Sequence, residues 1–235
     1  MTVPPPGPWQ GATVTAIAPE TANANTYRLR LERPTPYVPG QHFIVRLTAE
    51  DGYSAQRSYS AASAPDDPSE VELTVERLDD GEVSTFLHDE LRVGDVIEVR
   101  GPIGGWFVWS GEGPALLVGG GSGIVPLMSM LRWARQTGRS DLLQVVVSVR
   151  TPDDLYYAAE LPGPEVTVIY TRVAPPGERR AAGRLARDDL AGRFGSDTTA
   201  YVCGSAGFAG VATAHLVDLG LPAAQIRVER FGPTG

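Results

Sequence analysis

Three short stretches of this sequence carry residue types that can hold a ligand or take part in chemistry. In "AQRSYSAAS", residues 55–63, Arg57, Tyr59 and Ser60 set a cation, a ring and a hydroxyl at i, i+2 and i+3 among small residues. Arginine can grip a phosphate by charge-assisted hydrogen bonds, tyrosine offers an aromatic face, and a serine hydroxyl can donate or accept. Taken alone, the pattern also fits a solvated strand. In "LLVGGGSGIVP", Gly119, Gly120, Gly121, Ser122 and Gly123 separate an apolar run from a helical pattern. Backbone without Cβ atoms lets a ligand come close, and a helix start offers free N–H groups to a phosphate. No Lys-Ser/Thr pair follows, so it is not a Walker A loop, and Ile124 breaks the GxGxxG pattern. "YVCGSAGF" repeats the arrangement at a later strand end, with Cys203 and Gly204. A lone cysteine there is more often a small packed residue than a nucleophile, and no nearby motif would activate it.

The elements that must position these residues change character along the chain. Residues 10–108 contain "ATVTAIAPE", "TYRLRLE", "HFIVRLTA", "RSYSAAS", "EVELTVERL" and "DVIEVRGPIG", which mostly alternate with period two. Turn-rich segments separate them, and one helical piece lies around "GEVSTFLHDEL". About six such strands predict a small antiparallel β-barrel. From residue 114 the pattern becomes strand and helix in alternation. "PALLVGG", "LLQVVVSVR", "EVTVIYTRV" and "TAYVCGS" read as strands. "GSGIVPLMSMLRWARQTGR", "LYYAAEL", "GRLARDDLA" and "FAGVATAHLVDLG" read as helices, with Pro126 tolerable in a first turn. The alternation predicts a parallel α/β sheet. The expected division is a flexible N-terminal tail over 1–9, a barrel domain over 10–110 and an α/β domain over 111–235.

Composition narrows the function. A net charge of −8 over 235 residues argues against nucleic-acid binding, while leaving room for local basic patches at an anionic cofactor. The single cysteine excludes an intrachain disulfide and a thiolate-ligated iron–sulfur cluster within this sequence. His42, His88 and His215 are scattered without metal-ligand spacing, so no metal site is expected. No apolar run approaches the ~20 residues of a membrane span. The start, "MTVPPPGPWQ", does not read as a secretory signal. A cytoplasmic protein is expected.

Order along the chain gives these motifs their meaning. "RSYS", "GEVST", "GPIGGWF", "VGGGSGIVP", "VCGS" and a late aromatic, in that order across residues 10–231, resemble the ferredoxin–NADP reductase family of flavoproteins. The resemblance is closest to the reductases of multicomponent oxygenases. It implies an antiparallel β-barrel flavin domain followed by a Rossmann-like NAD(P)-binding α/β domain. It implies FAD, with FMN left open, and NADP(H) rather than NAD(H). Arg57, Ser58, Tyr59 and Ser60 match the flavin motif, with Arg57 on a phosphate, Tyr59 against the isoalloxazine and Ser60 near N5. Val75, Gly81, Val83 and Ser84 are assigned to the flavin as well, Ser84 and the N–H groups around it holding the pyrophosphate. Gly120, Gly121, Ser122 and Gly123 become the site of the nicotinamide cofactor's diphosphate. Cys203 and Gly204 lie beside the nicotinamide, Cys203 shaping and drying the site, and Phe231 covers the other flavin face.

On the same resemblance Ser60, Cys203 and Glu229 are the candidate catalytic residues, with Glu229 either assisting proton movement or standing as a solvated carboxylate. Thr171 and Arg172, with Arg150 on the preceding strand and Arg179 and Arg180 following, match a grip on a 2′-phosphate and favour NADPH. The sequence given ends at "ERFGPTG" and is expected to lack the iron–sulfur domain of many such reductases. Electrons would therefore leave to a ferredoxin, an oxygenase or another redox enzyme. A free-flavin reductase and a non-catalytic flavin-binding subunit are the alternatives. "GEVST" argues against the first, and the intact "GGGSG" and "CG" motifs argue against the second.

Overall fold

In the computed structural model, residues 6–231 are described, and the chain divides into one compact unit up to Val108 and another from Trp109. Most of the expected N-terminal tail, residues 1–5, lies outside the described residues.

The first unit is built from strands whose alternate residues are apolar. They are β1 (Gln10–Thr21), β2 (Ala24–Leu31), β3 (His42–Thr48), β4 (Ser54–Ser60), β5 (Glu70–Glu76) and β6 (Val96–Ile103). Neighbours pair antiparallel in the order β4-β3-β6-β1-β2-β5. On β2, Tyr27, Leu29 and Leu31 turn into the core, while Arg28 and Arg30 face out and pair across the sheet with Glu72 and Glu70. That alternation fixes the register, because a slip of one residue would turn the core side chains into water.

The predicted barrel forms, but its sheet closes at a point rather than along a strand. The end strands β4 and β5 meet at one bridge, Ala61 to Leu73, reinforced by the Ala62 N–H on the Glu72 carbonyl at 2.8 Å. The helix α1 (Glu82–Asp89) packs against both strands beside this seam. Its Val83 and Leu87 join the core, and the Tyr27 hydroxyl donates to the Leu87 carbonyl at 2.7 Å.

The second unit is a five-stranded parallel sheet. Its strands are β7 (Ala115–Gly120), β8 (Leu143–Val149), β9 (Val166–Tyr170), β10 (Thr199–Gly204) and β11 (Ile226–Arg230), ordered β11-β10-β7-β8-β9. Five consecutive residues of β7, Ala115 to Gly119, are buried, as a strand covered on both faces requires. The helices are α2 (Ile124–Gln136), α3 (Arg187–Leu190) and α4 (Ala206–Asp218). The spacing of Ile124, Leu127, Met128, Leu131 and Ala134 predicts the buried face of α2, and all five are buried.

One expected helix fails and another is shortened. "LYYAAEL" is a turn, with Tyr157 at φ 54°. Its backbone has other partners: Arg135 of α2 donates to the carbonyls of Glu160, Leu161 and Pro162. Tyr156, Tyr157 and Leu161 are all buried, an arrangement the turn achieves without a helical stripe. "GRLARDDLA" yields only the four residues of α3, because Arg180 takes the Gly183 and Arg184 carbonyls and the Asp189 carboxylate, holding that stretch open. Conversely, β11 forms where no strand is expected.

The order of the sheet makes β7 and β10 neighbours whose chain continuations run to opposite sides, the switch point where open α/β sheets bind ligands. The glycine loop after β7 meets the end of β10 there. A Cβ on Gly123 would collide with the Cys203 carbonyl group and lie 2.7 Å from the Gly204 nitrogen. Gly121 differs: at φ 56° it needs backbone freedom, and a Cβ there would touch nothing within 4 Å. Gly123→Ala is therefore expected to cost about 1–3 kcal/mol by overpacking and to lower the thermal midpoint by several degrees. Gly121→Asn, a residue that tolerates left-handed backbone, should leave the midpoint nearly unchanged. Melting both variants by circular dichroism checks the contrast.

Candidate functional site

In the first unit the candidate residues gather along β4 and its seam with α1. The register pairs Val45 with Arg57 and Phe43 with Tyr59, so Tyr59 and Arg57 stand on the core-facing side of the strand. Yet β4 is at the end of the sheet, and there Arg57 is exposed and Tyr59 half-buried. The Arg57 guanidinium donates only to the Gln56 carbonyl, at 2.8 Å, and pairs with no carboxylate among the described residues. Burial pushes the Tyr59 phenol up, while the Arg57 charge opposes the rise. Ser58 points to the other face and is exposed. Ser60 is buried, and its hydroxyl has no partner among the described residues. Opposite it on β3 stands half-buried His42, which burial holds below the usual histidine range and hence neutral at pH 7. Sequence reasoning passed over His42; only the β3–β4 register brings it to Ser60.

Gly81 and Ser84 frame the start of α1. Gly81 caps the helix without a side chain, so the first N–H groups of α1 lack a capping acceptor. A Cβ on Gly81 would lie 3.0 Å from that of Leu78, which keeps this corner tight. The Ser84 hydroxyl is committed locally, donating to the Gly81 carbonyl at 3.0 Å and accepting from the Leu78 N–H at 3.2 Å. Its backbone, rather than its hydroxyl, is what it can offer a ligand. The same holds for Val75 and Val83, whose side chains are core residues. An unpaired guanidinium, a hydroxyl without a partner and an uncapped helix start together fit a flavin carrying phosphate.

In the second unit the parallel register sets Cys203 between Gly119 and Glu229. The glycine loop, Gly121–Gly123, begins after Gly120 with no capping side chain. Phe208, on α4, fills the space that side chains at Gly120 and Gly204 would need; its ring lies 2.7 and 2.8 Å from where their Cβ atoms would stand. Sequence reasoning left Phe208 unassigned, although it stands in the same motif as Cys203. The Phe231 N–H donates to the Gly204 carbonyl at 3.0 Å, which joins the "CG" pair to the late aromatic.

Cys203 is fully buried, and burial, followed by the nearby Glu229 charge, raises its thiol far above the ordinary range. A thiol held protonated packs and excludes water; it does not attack. Glu229 is half-buried with no cation paired to it among the described residues, and burial pushes its carboxyl from 4.5 up to about 7. A carboxyl so raised can hold or release a proton near neutral pH.

At the far side of the sheet, the Arg172 N–H donates to the Arg150 carbonyl at 2.9 Å, setting the two residues side by side beyond β8 and β9. Thr171 precedes Arg172, its N–H on the Val149 carbonyl at 2.8 Å. Arg150, Arg172 and Arg179 are exposed and pair with no carboxylate among the described residues. Arg180 departs from the expected cluster: it forms a bidentate pair with Asp189, at 2.7 and 2.8 Å, and is structural.

The sequence matches two family models, an oxidoreductase FAD-binding domain over residues 12–108 and an oxidoreductase NAD-binding domain over residues 117–214. A relative from a Ralstonia species is the ferredoxin–NAD(P)(+) reductase component of naphthalene 1,2-dioxygenase/salicylate 5-hydroxylase systems. It is 32% identical over 234 residues, covering 95% of this chain and 69% of that protein. The glycine betaine monooxygenase reductase subunit of Chromohalobacter salexigens is 39% identical over 150 residues, 62% of this chain and 40% of that one. Among solved structures, the FAD/NAD-binding domain of nitric oxide dioxygenase from Vibrio cholerae is similar, with a TM-score of 0.84 and 25% identity. That likeness covers 95% of this chain and 99% of the other. Fold and motifs define the class, an oxidoreductase with a FAD-binding and an NAD-binding domain. Within that class the chain belongs to the ferredoxin–NAD(P)(+) reductase family. Among the described residues no helix is long and apolar enough to cross a membrane.

The Glu229 carboxyl also makes a prediction about stability. A pKa raised on folding adds stability that is fully present below pH 4.5 and is lost as the pH rises through about 7. Glu229→Gln should therefore flatten this site's contribution and melt higher than the parent at pH 8, with the advantage shrinking or reversing at pH 5. Thermal melts at the two pH values decide it; an unchanged difference would mean that Glu229 titrates normally.

Proposed function

We propose that this chain accepts a hydride from NADPH, in preference to NADH, onto bound FAD, and passes electrons to a separate protein acceptor, a ferredoxin or an oxygenase component. A bound flavin supplies the chemistry of taking up a hydride and giving up electrons one at a time. The side chains do the rest. Arg57 and the α1 start neutralise phosphate, Tyr59 lies against the ring system, and the Ser60 hydroxyl offers a hydrogen bond at its polar edge. Gly120, Gly121, Ser122 and Gly123 let the nucleotide diphosphate approach backbone N–H groups. Buried Cys203 and Gly204 keep the nicotinamide pocket narrow and dry, Phe231 shields the ring, and Glu229 holds a proton. Catalysis by such a site is mainly proximity and orientation.

The observation that carries the cofactor preference is the adjacent pair Arg150 and Arg172, exposed and unpaired, with Arg179 following. Unpaired guanidinium groups in an acidic chain favour a ligand with an additional phosphate. The named relatives are reductase components of oxygenase systems, which supports a protein acceptor.

The test begins with the visible spectrum of the purified chain, followed by anaerobic addition of each nucleotide. A flavin spectrum that bleaches faster with NADPH is expected, and failure to bleach with either nucleotide would refute the reading. Arg172→Ala should raise KM for NADPH about tenfold while changing KM for NADH less than twofold, a loss of phosphate binding rather than of chemistry. Steady-state kinetics with both nucleotides measure it, and equal effects would remove Arg172 from the phosphate site.

A further inference from the structure

Between β9 and α3 the chain runs through residues 171–186 without a helix or a strand. Loops longer than about 12–15 residues with no regular structure are usually either disordered or functional. This one is tied at its ends and across its middle. The Gly183 N–H donates to the carbonyl of Tyr170, the last residue of β9, at 3.0 Å, so the chain returns to the point it left. Past the return, Leu185 and Leu190 are buried in the core of the second unit.

Arg180 holds the middle with every nitrogen of its guanidinium. Its Nε and one terminal nitrogen donate to the two carboxylate oxygens of Asp189, at 2.7 and 2.8 Å. The other bonds go to the carbonyls of Ala181, Gly183 and Arg184, at 3.0, 3.2 and 2.9 Å. Asp189 in turn accepts from the Ala186 N–H at 2.7 Å. The Asp189 side chain is only 14% exposed, so this pair is not one of the solvent-screened contacts that contribute little. A planar fork can grip a carboxylate and carbonyls together, which the point charge of an ammonium does not reproduce.

The clasp fixes the neighbours of Arg179 and leaves its side chain free. On one side Glu178 closes a turn through Gly177, at φ 86°, with its N–H on the Pro175 carbonyl at 3.2 Å. The Glu178 carboxylate, the one acid of the loop, accepts from the Arg180 N–H at 3.0 Å. On the other side stands Arg180 itself. Arg179 is exposed and pairs with no carboxylate among the described residues. A loop held in shape beforehand does not have to be ordered by its ligand. We infer, on the NADPH reading proposed above, that Arg180 and Asp189 are positioning residues. Their pair presets Arg179 for the additional phosphate, so the preference for NADPH depends on two side chains that do not touch the nucleotide.

The experiment uses the full chain with its flavin and compares the parent, Arg180→Ala, Asp189→Asn and the double variant. Asp189→Asn keeps an acceptor for the Ala186 N–H and removes the charge. Expected is a KM for NADPH about fivefold higher in each single variant, with kcat and KM for NADH within about twofold of the parent. The double variant should be no worse than either single one, because the two side chains act as a unit. Trypsin gives a readout without turnover, since the sequence has no lysine and is cut at arginine alone. With no nucleotide present, cleavage after Arg179 should be about tenfold faster in the variants, at a thermal midpoint close to the parent's. Should Arg180→Ala fail to fold, Asp189→Asn alone decides. Unchanged cleavage, an unchanged KM for NADPH, or equal rises in both KM values overturns the inference while the parent's preference for NADPH stands. A parent that shows no such preference removes the NADPH reading, and the inference with it.

Discussion

The end of β10 and the loop after β7 are separated by no more than the hydrogen of Gly123. A parallel sheet with the order found in the second unit leaves a crevice where neighbouring strands send their chains to opposite sides, and here that crevice is narrowed to backbone against backbone. Much of what faces a ligand in the unit depends on this closeness. It starts the glycine turn without a capping side chain, and it holds Cys203 deep enough that its thiol stays protonated. It also sets Gly204 where the last strand can deliver Phe231 to its carbonyl. A single methyl group at Gly123 would push on all of these at once.

The first unit solves a different problem by leaving something unfinished. Its sheet curls far enough to bring its ends together, then stops at the Ala61–Leu73 bridge. A fully closed barrel would turn Arg57 and Tyr59 into a packed interior, where a lone guanidinium cannot be tolerated. Because the seam stays open, a strand face that belongs to the core side can carry a free cation beside a half-buried ring. The exposure of Arg57 on β4 is thus a consequence of topology as much as of residue type.

Fold and site were legible in the sequence to different degrees. Period-two alternation and one long apolar run exposed both sheets, since each strand's burial is written in consecutive residues. Glycines announced the loop after β7 because the same residue type serves close packing and ligand approach. What could not be read locally were features set by distant partners. The turn over residues 155–161 exists because Arg135 captures its carbonyls, and Arg180 left the cationic cluster because Asp189, nine residues on, neutralises it. Glu229 could be placed in a motif but not given its proton affinity, which depends on burial. His42 lay in plain sight, yet strand register was needed to align it with Ser60.

The open seam has another side. The outer edges of β4 and β5 expose N–H and C=O groups that a second chain could pair with, the usual beginning of edge-to-edge aggregation. The segment on that edge reads Ser54, Gln56, Arg57, Ser58: small, polar or charged, exposed, and without a run of β-branched residues. Its outward neighbours on the β2–β5 side are interlocked Arg–Glu pairs. An edge so composed is a poor template for another strand. The same polar and charged residues would disfavour pairing between two copies of a newly made chain along this edge.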